Sequence, residues 1–174
     1  MLVLGIDPGT RIMGVGVLSV DDSVSSQNPV SVEVVNAGVI EAKKSWSLAR
    51  RLAYIYRSLV AIIDEVKPDV AVMERAMWVG RSAATAIALG RAEAIAMLAA
   101  ENAGVPSHFF SPTEIKKIVT GSGAASKSDV ARAVKKLLGI TQELSLDTTD
   151  GLASGLAYIR INYWNQDHLI MRPK

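Results

Sequence analysis

The first forty residues are short apolar, β-rich runs separated by polar turns, the pattern of successive strands. Leu2 to Ile6 is a short apolar run closed by Asp7-Pro8-Gly9-Thr10, and Ile12 to Val20 resumes a β-rich, glycine-spaced pattern, so the two predict paired strands around a tight turn. Asp21 to Pro29 is polar and predicts a loop. Val30 to Ile40, rich in Val and Ile, predicts a third strand and completes an antiparallel meander. The period then changes. Leu48, Leu52, Ile55, Leu59, Ile62 and Ile63 fall on one face of a helix over Ser47 to Val66, stopped by Lys67-Pro68. Val70 to Met73 is an unbroken apolar run ending at Glu74, the pattern of a strand buried on both faces. A loop over Arg75 to Arg81 leads to an alanine-rich helix, Ala83 to Asn102, and Ser107 to Phe110 predicts a fifth strand. Ser111-Pro112-Thr113-Glu114 has the cap, first-turn proline and early acid of a helix start. Gly121 to Ala125 breaks that short helix, Ser126 to Leu138 predicts a basic amphipathic one, and Asp147 to Trp164 predicts the last. Three strands followed by alternating helices and strands describe an α/β domain, a mixed five-stranded sheet flanked by helices.

Composition narrows the chemistry. The 174 residues carry no internal repeat and no linker, so one domain over 1–174 with a short C-terminal tail is expected. With no cysteine and two histidines, His108 and His168, thiolate chemistry and cysteine-ligated metals are excluded, and carboxylates are left as metal ligands. The net charge of +2 says little about partners, although the pI of 8.9 suits a polyanion. The N-terminus lacks the features of a signal peptide and no apolar stretch stands out as membrane-spanning, so a cytoplasmic protein without a membrane partner is expected.

Four acids sit where ligand sites form. Asp7 ends the first strand and Glu74 the fourth, while Asp147 and Asp150, three residues apart, share one face at the start of the last helix. If the first and fourth strands are neighbours, the four carboxylates converge on one rim of the sheet. They would repel one another and call for hard cations, Mg²⁺ or Mn²⁺, and a pair of such ions is a common means of phosphodiester hydrolysis. Taken singly, each acid has a plainer explanation. Asp7 before Pro-Gly suits a turn, Asp147 and Asp150 suit a helix start, and Glu74 could be a solvated charge opening a loop.

Leu4-Gly5-Ile6-Asp7-Pro8-Gly9-Thr10 with Gly14-Val15-Gly16 opens a series of motifs. Glu74-Arg75, Ala88-Leu89-Gly90-Arg91-Ala92, Ser111-Pro112 through Lys116 to Gly121-Ser122-Gly123, Lys127-Ser128, and Asp147-Thr148-Thr149-Asp150-Gly151-Leu152-Ala153 follow in order, over roughly residues 1 to 160. This ordered set resembles the signatures of the RuvC family of Holliday-junction resolvases, whose domain is ribonuclease-H-like. The resemblance implies an endonuclease of DNA recombination and repair that nicks two strands of like polarity symmetrically. It implies four-way junction DNA, a homodimer and a branch-migration helicase complex as partners, and two Mg²⁺ ions per active site with Mn²⁺ as a substitute. Asp7, Glu74, Asp147 and Asp150 would be the catalytic, metal-binding acids; Lys116 and Lys127 would act beside the scissile phosphate. DNA contact is expected of Arg75, Met77 and Trp78 in the loop after Glu74, and of Lys116, Lys117 and Lys127, in a segment whose basic residues flank a glycine-rich turn.

The loop after Glu74 departs from the family pattern, reading Arg75-Ala76-Met77-Trp78. Trp78 could wedge into the junction centre, with Met77 beside it, or could be a core or dimer contact. Small residues on several sides of Ala83 to Asn102 suit packing against both the sheet and a second subunit. Other readings remain: a ribonuclease-H-like nuclease with a different substrate, an ATP-using protein with Asp7 to Thr10 as a phosphate-binding turn, or a junction binder without catalysis. The second lacks the length for two lobes, and the four acids argue against the third.

Overall fold

The computed structural model describes residues 1–21, 30–77 and 82–163. The meander forms as the β-rich runs and turns predict: β1 (Leu2–Asp7), β2 (Ile12–Asp21) and β3 (Ser31–Glu41) pair antiparallel in sequence. α1 (Leu48–Val66) crosses to β4 (Val70–Glu74), which lies parallel to β1, and α2 (Ala83–Asn102) crosses to β5 (Ser107–Phe110), parallel to β4. The sheet order is β3-β2-β1-β4-β5, and α3 (Pro112–Thr120), α4 (Lys127–Leu137) and α5 (Leu146–Asn162) complete the chain. Because β1 and β4 run in one direction, with Ile6 beside Met73, both end at the same rim.

The period of two divides the core. Leu4 and Ile6 face α1 and α2 with Ile55, Leu59 and Ala96, while Val3 and Val72 face α3, α4 and α5 with Val134, Leu152 and Leu156. β4 is buried from Val70 to Met73, as an unbroken apolar strand between two helical layers must be. Serine caps start every helix: Ser47, Ser82, Ser111, Ser126 and Ser145 each accept a hydrogen bond from a first-turn amide, and Ser111–Glu114 and Ser126–Asp129 close full capping boxes. At the other end of α1, Lys67 takes a left-handed conformation (φ 52°) before Pro68, and its N–H reaches the Ile63 carbonyl at 2.8 Å.

Two expectations need correction. The last helix starts one residue earlier than Asp147 and ends at Asn162 rather than Trp164, with Ser145 taking the cap; Asp147 is therefore a first-turn acid and not the cap. α2, in turn, is long and apolar enough by length and composition to cross a membrane. Alanine, not leucine, raises its hydropathy, and Ala92, Ala96, Ala99 and Ala100 are buried within the domain.

Candidate active site

β1 delivers Asp7 and β4 delivers Glu74 to neighbouring positions at the sheet rim. α5 brings the other two acids because it lies almost on the sheet itself. A Cβ on Gly14 of β2 would overlap the backbone carbonyl of Asp147, and one on Gly5 of β1 would overlap that of Gly151, so only hydrogen at these positions lets the helix settle so low. Asp147 and Asp150 thus enter a cleft of about 300 Å³ shared with Asp7, Glu74, Lys116 and Lys127. Gly9, Ile12, Arg75, Met77 and Leu89 also line it.

The electrostatics are those of crowded acids. Asp7 is pushed up to about 7, first by burial and then by the charges of Glu74, Asp150 and Asp147, with Lys127 working in the opposite direction. Lys127 Nζ donates to Asp150 Oδ2 at 2.7 Å. Burial alone would lower this ammonium, but the Asp150 hydrogen bond and the charges of Asp150, Asp7 and Glu74 prevail and hold it above its ordinary value. Asp147 lies in the first turn of α5, beside the positive end of the helix dipole, and Asp150 lies one position into the second turn.

The donor set fits a hard divalent cation chemically: four carboxylates face one cleft, with Asp7 held at about 7 by burial and by the neighbouring acids. Among the described residues no three His, Asp or Glu side chains stand as a finished ligand set.

The remaining expected residues divide. Lys116 is half-buried and lines the cleft, whereas Lys117 next to it is exposed and outside it. Arg75 lines the cleft with its guanidinium 5.3 Å from the Phe109 ring centroid. Met77 lines it too, 36 % exposed, and Trp78 lies outside the described residues, as does His168. His108 is on β5, 4.9 Å from the Tyr158 ring, and takes no part in the cleft.

Glu93 is the residue that reading the sequence missed. From α2 its Oε2 accepts the Ala76 N–H at 2.7 Å, and the Arg75 N–H donates to the Phe110 carbonyl at 2.8 Å; together they hold the chain as it leaves Glu74. An acid in an alanine-rich helix reads as a solubilising charge, and no local pattern points it at a loop seventeen residues earlier.

A mixed sheet of this order, with an acid-lined cleft where β1 and β4 end, defines a ribonuclease-H-like domain. The model of the family "Crossover junction endodeoxyribonuclease RuvC" matches residues 3–158. The chain belongs to that family. It is 40 % identical over 157 residues to the crossover junction endodeoxyribonuclease RuvC of Pseudothermotoga lettingae, covering 90 % of each chain. It is 35 % identical to that of Bacteroides fragilis, covering 90 % of this chain and 81 % of the relative. Among solved structures, Thermus thermophilus RuvC superposes with a TM-score of 0.79 at 26 % identity, over 92 % of this chain and 96 % of that one. The same protein bound to a Holliday junction substrate matches equally well, with a TM-score of 0.79.

Proposed function

We propose that this chain is a Mg²⁺-dependent endonuclease that resolves four-way DNA junctions by paired, symmetric nicks in strands of like polarity. The observation that carries this reading is the convergence of Asp7, Glu74, Asp147 and Asp150 with Lys116 and Lys127 in one cleft, in a chain of this family. Asp7, Glu74, Asp147 and Asp150 would hold the metal, which when bound would polarise the scissile phosphate and activate water. Lys116 and Lys127 would offset the phosphate charge, Lys127 from a position 2.7 Å from Asp150 Oδ2. Arg75 and Met77, which line the cleft where Glu93 and Phe110 hold the Ala76 and Arg75 amides, would meet the DNA.

Cleavage of a synthetic mobile four-way junction tests this directly. Nicks at symmetric positions on two opposed strands, present with Mg²⁺ and absent in EDTA, are expected, with plain duplex and RNA–DNA hybrid competing poorly. Equal cutting of duplex or hybrid would favour a different ribonuclease-H-like nuclease, and metal-independent nicking would overturn the role given to the acids.

Two nicks related by symmetry suit two active sites related by a twofold axis. Ile87 and Leu98 lie three turns apart on one face of α2, 54 % and 49 % exposed, with Met97 beside them at 43 %. A second copy covering this face would bury them and set the two clefts in one particle. Leu98→Lys is expected to convert a dimer to a monomer in sedimentation velocity and to reduce paired nicking to single nicks; a variant that sediments as the wild type would move the interface elsewhere.

A further inference from the structure

Positive charge also collects on the shoulder of the cleft opposite α3 and α4. β3 runs in the direction of β1, so its last residue, Glu41, emerges at the catalytic rim beside Ile12. The chain is pinned there: the Ala42 N–H donates to the Arg11 carbonyl at 2.8 Å, and the Trp46 N–H closes a turn on the Lys43 carbonyl at 3.1 Å. Arg11 from the β1–β2 turn, Lys43 and Lys44 from the β3–α1 turn, and Arg50 from α1 are brought to this shoulder, all of them exposed. The half-buried Trp46 ring organises it, with the Arg50 guanidinium carbon 4.6 Å and Lys43 Nζ 5.8 Å from the ring centroid.

These cations have little internal compensation. Arg11 meets Glu41 at 3.6 Å with both side chains about half exposed, a pair of small energetic weight, and Lys43, Lys44 and Arg50 make no ion pair among the described residues. α1 has no acid in its first turn to offset them. None of the four lines the cleft, yet Gly9 and Ile12, which flank Arg11, do.

We propose that this shoulder binds the sugar–phosphate backbone of a junction arm as it leaves the active site. The inference rests on reading the chain as a junction nuclease. Two interstrand steps, roughly 10 Å, separate the end of β1 from the end of β3. That is about three nucleotides at ~3.4 Å each, so a strand with its scissile phosphate over Asp7 has its next phosphates within reach of Lys43, Lys44 and Arg50. Exposed cations that lack carboxylate partners lose little on meeting phosphate, and each contact releases counterions, so the affinity gain depends on salt. The contact of Arg50 with the Trp46 ring, 4.6 Å from its centroid, favours the rotamers that keep its guanidinium on this shoulder.

The test uses the full chain and the double variant Lys43→Ala/Lys44→Ala, chosen because neither side chain is packed in the core. On a four-way junction with long arms the variant is expected to raise KM about tenfold with little change in kcat, and to reduce the slope of log Kd against log salt by about 1 to 2. A long-armed junction carrying uncharged methylphosphonates at the second to fourth positions beyond the scissile phosphate should bind wild type and variant alike. Unchanged KM and salt slope on the unmodified junction would overturn the proposal, as would an equal loss on the methylphosphonate one. If the wild type fails to nick any four-way junction, the underlying reading fails instead, and the same salt titration on a plain duplex then decides whether the shoulder binds nucleic acid.

Discussion

Asp7→Asn is expected to lower Mg²⁺-dependent nicking by at least about a thousandfold, ~4 kcal/mol of activation free energy, while leaving junction binding in EDTA intact. The same substitution should make the metal-free protein more stable at high pH. Asp7 is held at about 7 in the folded state, by burial first and then by Glu74, Asp150 and Asp147, against an ordinary value of 3.8. The folded protein therefore retains a proton that the unfolded chain gives up. Stability from this group is fully present below the unfolded value and is lost as pH rises through about 7. A shift of this size corresponds to no more than roughly 4 kcal/mol. Asparagine carries no charge to desolvate, so the melting temperatures of variant and wild type should diverge as pH rises from 4 to 8. Saturating Mg²⁺ should narrow the gap by stabilising the wild type alone. Thermal melts at pH 5 and pH 8, with and without Mg²⁺, read all of this; a wild type that melts no lower than the variant at pH 8 without metal would refute the electrostatic account of Asp7.

Gly14→Ala has the second large effect, and its origin is steric. The new Cβ would overlap the Asp147 carbonyl, backbone against backbone, with no side chain able to turn aside. Overpacking of this kind costs about 1–3 kcal/mol or more; at ~2–4 °C per kcal/mol for a chain of this size, the melting temperature should fall by several degrees. The consequence for activity is larger. To relieve the overlap α5 must rise at its N-terminus, and Asp147 and Asp150 rise with it. Nicking measured well below the melting temperature is expected to fall by about a hundredfold, on the order of 3 kcal/mol. Gly38→Ala on β3 is the control, because a Cβ there meets nothing within 4 Å and should change neither quantity appreciably. A folded Gly14→Ala protein that nicks at the wild-type rate would show that the seating of α5 does not position its acids.

Both outcomes bear on why the site could be read only in part from the chain. Asp7 and Glu74 were legible because each closes an apolar run, and strand ends are where a sheet opens to ligands. Asp147 and Asp150 were legible as a pair because three-residue spacing is a property of the helix itself. Nothing local in the chain states that Glu93 accepts the Ala76 amide, or that Lys117 stands outside the cleft that holds Lys116. Those assignments depend on which way a helix is rotated once it has packed.

What the amino-acid order determined by itself is therefore the succession of elements, the faces they bury, the Ser111 cap and the family, all of which follow from periodicity, capping chemistry and ordered motifs over a few residues at a time. What only the tertiary structure decided is adjacency: β1 beside β4, α5 seated on Gly5 and Gly14, and Arg11 beside the turn that carries Lys43. The division has one physical reason. Local patterns specify how a segment bonds within itself, whereas the meeting of carboxylates some 140 residues apart is set by the parallel pairing of two strands and by the close approach of a helix.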